Sequence, residues 1–405
     1  MRENWKFNFV LIWSGQAFSI LTSAVLQMAL IWHLTAITQS AMVLSLASIA
    51  GFLPTALLSA FAGTLVDRWK RKIVIVGADM FIALVSLILA IYALFAELPV
   101  WLILVVLFVR SIGTAFHTPA ISAITPLIVP ENMLTKCSGV IESFQTFGYI
   151  IGAAIAGVLY SVWSLSGMVF LDVLGALIAS FAVIYAKIPE LNTKHEDEEK
   201  HFFKELKDGY KVIYHHKGLF SLLWIGALFM IIYSPINALF PLMSLDYFNG
   251  TTIQASIAEV TFSLGMFIGG VTLGTTGGFK DRAKSIFGSL LLMGAAILVS
   301  GLLPISGFIV FAGLSFFMGF AAPYYTGPFM ALVQERIEPE YLGRVFGLYT
   351  SLMSLTMPIG LIISGIFADS VGVHIWFFLS GVVTLILAVI TYLIPSIRYI
   401  ENEKT

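Results

Sequence analysis

Apolar residues run along this chain in continuous stretches of roughly twenty, separated by short polar breaks, with neither the alternation of a half-buried strand nor the single stripe of a soluble helix. Hydropathy predicts twelve helical spans, at about 8–34, 41–66, 73–95, 99–120, 138–160, 165–187, 219–245, 254–278, 285–303, 307–333, 343–368 and 373–395. At about 1.5 Å per residue, each can cross a hydrocarbon layer of roughly 30 Å. Closed barrels are excluded, because their strands read as alternating ten-residue segments. The expected fold is therefore an all-α membrane protein.

The breaks alternate in character. Short loops at 35–40, 97–98, 161–164, 246–252, 304–306 and 369–372 contain no Lys or Arg. Of the 22 Lys and Arg residues, 21 fall on the side of the other breaks, in them or at the adjoining span ends, and the exception is Arg110. Excess basic charge marks the cytoplasmic side, which predicts both termini inside. The apolar run behind Met1–Lys6 extends to about Leu34, too long for a signal-peptide core, and reads as an uncleaved first span.

The break from Lys187 to Lys217 is longer than the rest. An acidic linker (190–200) precedes a segment with apolar residues at 202, 203, 206, 210 and 213, the spacing of an amphipathic helix on the inner membrane surface. The predicted organisation is two pseudo-symmetric six-helix bundles, residues 1–187 and 218–405, joined by a cytoplasmic linker at 188–217. A matching pattern supports duplication: Pro119 and Pro130-Glu131 reappear at the same spacing as Pro328 and Pro339-Glu340, about half a chain later.

Composition agrees with this reading. The chain has 405 residues, 59% hydrophobic and 11% charged, with a mean hydropathy of +0.94, far more apolar than a soluble domain. Cys137 is a lone cysteine, so no internal disulfide forms, and no metal, Walker or dinucleotide pattern occurs. No cofactor, metal or nucleic-acid partner is expected, and no nucleophile–base pair suggests an enzyme.

Ionisable groups inside spans are costly and are functional candidates. Arg110 lies in span 4, Asp79 in span 3, Glu142 in span 5, Asp172 in span 6 and Glu259 in span 8. Burial disfavours a charged carboxylate, whereas a neighbouring guanidinium favours it. An acid that alternates between such environments can carry a proton. Glu259 and Asp172 stand nearest the outer face, Asp79 stands near the basic turn, and Glu142 lies one turn from the cytoplasm.

One turn combines several of these features. Gly63-Thr-Leu-Val-Asp67-Arg68-Trp-Lys70-Arg71-Lys72 places four bases and an acid between spans 2 and 3. Anchoring explains the bases, but not an acid at the negative end of a helix dipole. With twelve spans in two halves, this Gly-x-x-x-Asp-Arg-x-x-Arg-Lys turn resembles the signature of the major facilitator superfamily, with Lys70 where the family has Gly. The matching turn in the second half, Gly274 to Arg282, has Gly278 in the place of the acid and Lys280 among its bases. Arg110-Ser-Ile-Gly113 resembles the signature of the fourth helix. Gly148, Gly152 and Gly157 resemble the antiporter signature of the fifth, with Ala153 replacing its proline; small residues at this spacing also simply pack helices.

Longer stretches are similar to the bacterial macrolide-efflux permeases, among them Ile12-Trp-Ser-Gly-Gln16, Arg110 through Pro119, Pro235-Ile-Asn-Ala-Leu-Phe-Pro241 and Tyr341-Leu-Gly-Arg-Val-Phe346. The resemblance implies a monomeric drug/proton antiporter of the cytoplasmic membrane, exporting macrolides by alternating access. Tetracycline or siderophore export and proton-coupled uptake are the alternatives. It also implies an inner gate of Gly63, Asp67, Arg68, Arg71 and Lys72, with Asp67 meeting the start of span 11, and a cavity walled by spans 1, 4, 7 and 10. Candidate cavity residues are Gln16, Gln27, His117, Tyr233, Asn237, Tyr324 and Tyr325. Pro235, Pro241, Pro323 and Pro328 are expected to loosen spans 7 and 10 for gating.

Overall fold

A computed structural model describes residues 5–130, 133–188, 202–276, 279, 281–398 and 400. The helices are α1 (Trp5–Thr38), α2 (Ala41–Arg68), α3 (Arg71–Phe95), α4 (Val100–Ile128), α5 (Leu134–Val162), α6 (Leu165–Tyr185), α7 (Phe202–His215), α8 (Lys217–Leu242), α9 (Thr252–Thr276), α10 (Arg282–Leu302), α11 (Phe308–Arg336), α12 (Pro339–Val371), α13 (Val373–Leu393) and the short α14 (Pro395–Arg398). Among the described residues, eleven are long and apolar enough to cross a membrane, and α5 contributes a shorter apolar stretch, Phe147–Val162. The chain is a multi-pass membrane protein. The acidic linker, Glu131, Gly278 and Lys280 lie outside the described residues.

Several helices outrun their hydropathy limits. The fourth reaches Ile128 instead of about 120, passing through Pro119 and Pro126. A proline removes one ladder donor but need not end a membrane helix when other groups supply donors. Arg71 Nη1 donates to the Ala123 carbonyl at 2.9 Å, beside the Ser122 carbonyl that Pro126 deprives of its partner. The helices α8 and α11 likewise run through their prolines, and a π-helical turn, Met243–Tyr247, follows Pro241.

The chain divides into two compact units, Met1–Thr38 with Leu46–His195, and Gln39–Ser45 with Glu196–Thr405. In the first, α1 packs on α5 and α6, and α3 packs on α4 and α6. Thr55 of α2 bonds Ser111 of α4, hydroxyl to hydroxyl at 2.7 Å. The second repeats every pairing: α8 packs on α12 and α13, α10 on α11 and α13, and α9 on α11. Internal duplication is therefore written in the packing as well as in the proline spacing.

Close helix approach depends on small residues, since lipid gives apolar side chains no hydrophobic drive to associate. A methyl added at Gly152 would stand 2.6 Å from Ala24 Cβ, so α5 meets α1 at contact distance. At Gly265 an added Cβ would collide with the Phe316 carbonyl, which brings α9 onto the α11 backbone.

The first turn of α2 belongs to the second unit. Asp369, near the end of α12, accepts hydrogen bonds from Ser40 Oγ at 2.7 Å, from Met42 N at 3.2 Å and from Ala41 N. An anion at a helix N-terminus satisfies otherwise orphaned N–H groups and complements the dipole. The amphipathic segment forms α7 as its spacing predicts. Ile213 is fully buried and Gly209 packs on the Arg344 carbonyl, so part of the apolar face lies on α12 rather than facing lipid.

Candidate functional site

Four helices of the first unit carry two polar tiers through an otherwise apolar interior. In the upper tier Arg110 of α4 pairs with Asp172 of α6 and also donates to Ser86 of α3. Asp172 is 1% exposed and accepts from Ser23 of α1 at 2.6 Å and from Ser86 at 2.9 Å. Both carboxylate oxygens are therefore occupied, and the buried charge is neutralised by a guanidinium that cannot lose its proton.

The lower tier lies seven or eight residues along the same four helices. Gln16 precedes Ser23 on α1, Asp79 precedes Ser86 on α3, His117 follows Arg110 on α4, and Ser180 follows Asp172 on α6. Two helical turns separate the tiers, roughly 10 Å. Asp79, 4% exposed, accepts from Ser180 Oγ at 3.4 Å, and His117 Nε2 stands 3.2 Å from its other oxygen. That approach is an ion-pair contact without a hydrogen bond. Gln16 reaches toward the same carboxylate, its Nε2 falling short of a well-formed hydrogen bond. One tier is saturated; the other is not.

Gln16, Gln27, Asp79, Arg110 and His117 line a cavity of about 820 Å³ within the first unit, with Ser23, Ser111, Thr114, Gln145 and Tyr149 among its other walls. That volume lies within the range of small-molecule sites. Sequence reading singled out both acids, Arg110, His117 and Gln16, but not Ser23, Ser86 or Ser180. The available signal was polar residues seven apart on apolar helices.

In the second unit Glu259 of α9 lines a narrow cavity with Tyr233, Asn237, Phe240, Phe262 and Met318. Tyr233 stacks on Phe229 at 5.3 Å. Tyr324 and Tyr325 diverge. The Tyr324 hydroxyl donates to Thr272 Oγ1 at 3.1 Å, whereas Tyr325 is buried against α8, its hydroxyl 3.4 Å from the Leu222 carbonyl. Polar groups between α10 and α11 satisfy backbone, as with Ser289 Oγ and the Ala321 carbonyl at 2.7 Å.

The basic turn stitches helices of the first unit together. Besides the Arg71 bond, Lys72 Nζ donates to the carbonyls of Ile184 and Ala186 at 2.6 and 3.1 Å. These are C-terminal carbonyls of α6, where a cation meets the negative pole of the dipole. Gly63, Asp67 and Arg68 fall in the last turns of α2. Their side chains lie outside the described residues, as does that of Glu142. Gly148 and Gly152 face α1, where an added Cβ would meet Ile20 and Ala24, and Gly157 is buried.

A family model described as "Transmembrane secretion effector" matches residues 5–405. Macrolide efflux protein A of Streptococcus pyogenes is 51% identical over 399 residues, covering 98% of both chains. The chain belongs to this major facilitator family. Macrolide efflux protein A of Enterococcus faecalis is 52% identical over 322 residues, 80% of this chain and 99% of its own. Among solved structures, a point mutant of the nucleoside transporter NupG superposes with a TM-score of 0.75 at 13% identity, covering 99% of this chain and 100% of that one. A bacterial homologue of the lysosomal transporter Spinster gives 0.73 at 14%, covering 100% and 99%. The structural likenesses show the major facilitator fold, and the family and the macrolide-efflux relatives make the chain a transporter.

Proposed function

We propose that this protein exports macrolides across a bacterial cytoplasmic membrane by alternating access, driven by inward proton movement. The near-full-length likeness to Macrolide efflux protein A carries the substrate assignment. Both termini lie in the cytoplasm, as the distribution of bases supports, and the monomer is the working unit. The two six-helix bundles, 1–187 and 218–405, move about the linker at 188–217, and the turn from Gly63 to Lys72 forms the inner gate.

The coupling reading rests on the buried Arg110–Asp172 pair. A carboxylate held by a guanidinium stays ionised; when transport separates the two, the desolvated carboxylate takes up a proton. Glu259, embedded in the second unit beside Tyr233, is the second proton-carrying acid. Asp79 and Glu142 are the remaining coupling candidates. The small residues of α5 permit it to slide on α1.

Expression in a macrolide-sensitive, exporter-deficient bacterium tests the reading. The protein is expected to raise macrolide resistance, and a protonophore is expected to abolish the gain. Glu259→Gln is expected to remove proton-driven export at unchanged membrane abundance. Equal sensitivity with and without the protein would sink the substrate assignment, and resistance indifferent to the protonophore would sink the coupling.

A further inference from the structure

The lower tier has chemistry that the ion pair above it does not use. Arg110 is committed to Asp172, and the groups facing Asp79 are His117, Gln16, Ser180 and, more remotely, Asp172 itself. Among the described residues, no Lys or Arg pairs with the Asp79 carboxylate. Gln16 is 3% exposed and reaches the Asp79 carboxylate without a well-formed hydrogen bond, and Nε2 of His117, 3.2 Å from Asp79, makes an ion-pair contact without one. Gln16, His117 and Asp79 all line the same cavity.

A metal does not account for the arrangement, because no group of three or more His, Cys, Asp or Glu side chains with metal-binding geometry occurs among the described residues. The complement of this set is a ligand with one positive charge and an adjoining hydroxyl. The carboxylate takes the charge; the amide and the imidazole bond the hydroxyl, which both donates and accepts. We propose that Asp79, Gln16 and His117 form the subsite for the protonated amine of the exported compound and the hydroxyl beside it, the chemistry of an amino sugar. This assignment rests on the macrolide reading, since such compounds carry a basic amino sugar on a largely apolar ring. The apolar cavity wall, including Ile20, Ile82 and Leu107, then receives the ring.

Binding to the purified full-length protein in nanodiscs tests the subsite independently of coupling. The probes are erythromycin and its analogue lacking the dimethylamino group. Wild type is expected to bind erythromycin at least tenfold more tightly than the analogue. Asp79→Asn is expected to erase that preference by weakening erythromycin alone, Asp79→Glu to restore most of it, and Gln16→Leu to weaken erythromycin several-fold. Retained binding of the analogue by Asp79→Asn reports a folded protein.

Wild type binding both compounds equally overturns the subsite while leaving the macrolide reading intact. Wild type binding neither overturns both. An Asp79→Asn variant that keeps the full preference but loses export also overturns it, and gives Asp79 to the proton instead.

Discussion

At the scale of single residues, the two carboxylates of the first unit differ because of what surrounds them. Asp172 is enclosed by a guanidinium and two hydroxyls, Asp79 by an imidazole, the Gln16 amide and one distant hydroxyl. Removing one partner of a buried ion pair leaves an uncompensated charge, at a cost of about 3–5 kcal/mol. Asp172→Asn is therefore expected to lower thermal stability in detergent, and the double variant Arg110→Gln/Asp172→Asn to regain most of the loss. A single variant as stable as wild type, followed in a thermal melt, would show that Arg110 finds another anion. The sequence identifies Asp79, Arg110 and Asp172 from the rarity of charge in apolar spans, and His117 only as a cavity candidate that the resemblance implies. It could not pair them, since pairing depends on helix rotation, which similar hydrophobicity on all sides leaves unspecified.

Elements are held together by what their small residues allow. At Gly152 the α5 backbone lies against Ala24 of α1 closely enough that any larger side chain must displace one helix. Gly152→Leu is expected to destabilise by about 1–3 kcal/mol, the cost of overpacking. Gly77, with open space around its Cβ position, is the control: Gly77→Ala is expected to leave the melting temperature unchanged or raise it slightly. Equal melting temperatures for Gly152→Leu and wild type would contradict the close packing. The resemblance reads this stretch as an antiporter signature, and the packing supplies a physical requirement for the same residues. Helix ends were less legible than helix existence. Hydropathy stops the fourth span at about residue 120, but the helix continues through Pro119 and Pro126 to Ile128, with Arg71 bonding the Ala123 carbonyl on the way. The Asp369 cap on α2 escaped the sequence altogether, because its partners lie more than three hundred residues away.

For the whole molecule, topology is the property that charge distribution predicts most directly. Cys137 is buried, so it provides a quiet background for labelling. Cysteines placed at Lys70 or Lys217 are expected to react with a membrane-impermeant maleimide only after the membrane is opened. Those at Glu97 or Asn249 are expected to react in intact cells. The reverse pattern would invert the protein and the direction of transport with it. The two units repeat the same helix pairings, yet their polar content differs. The first holds two charged tiers, while the second carries Glu259 beside an aromatic wall and hydroxyls that bond backbone. Duplication preserved the scaffold and left the chemistry free to diverge.

The sequence alone determined the spans, their number, the repeat and the candidate charges, because the cost of burying polar groups in lipid acts on composition and needs no partner. Only the tertiary structure decided that residues 16, 79, 117 and 180 meet in one layer and 23, 86, 110 and 172 in another. Hydrogen bonds and ion pairs act over a few ångströms. Which side chains come within that reach depends on how four apolar helices rotate against one another.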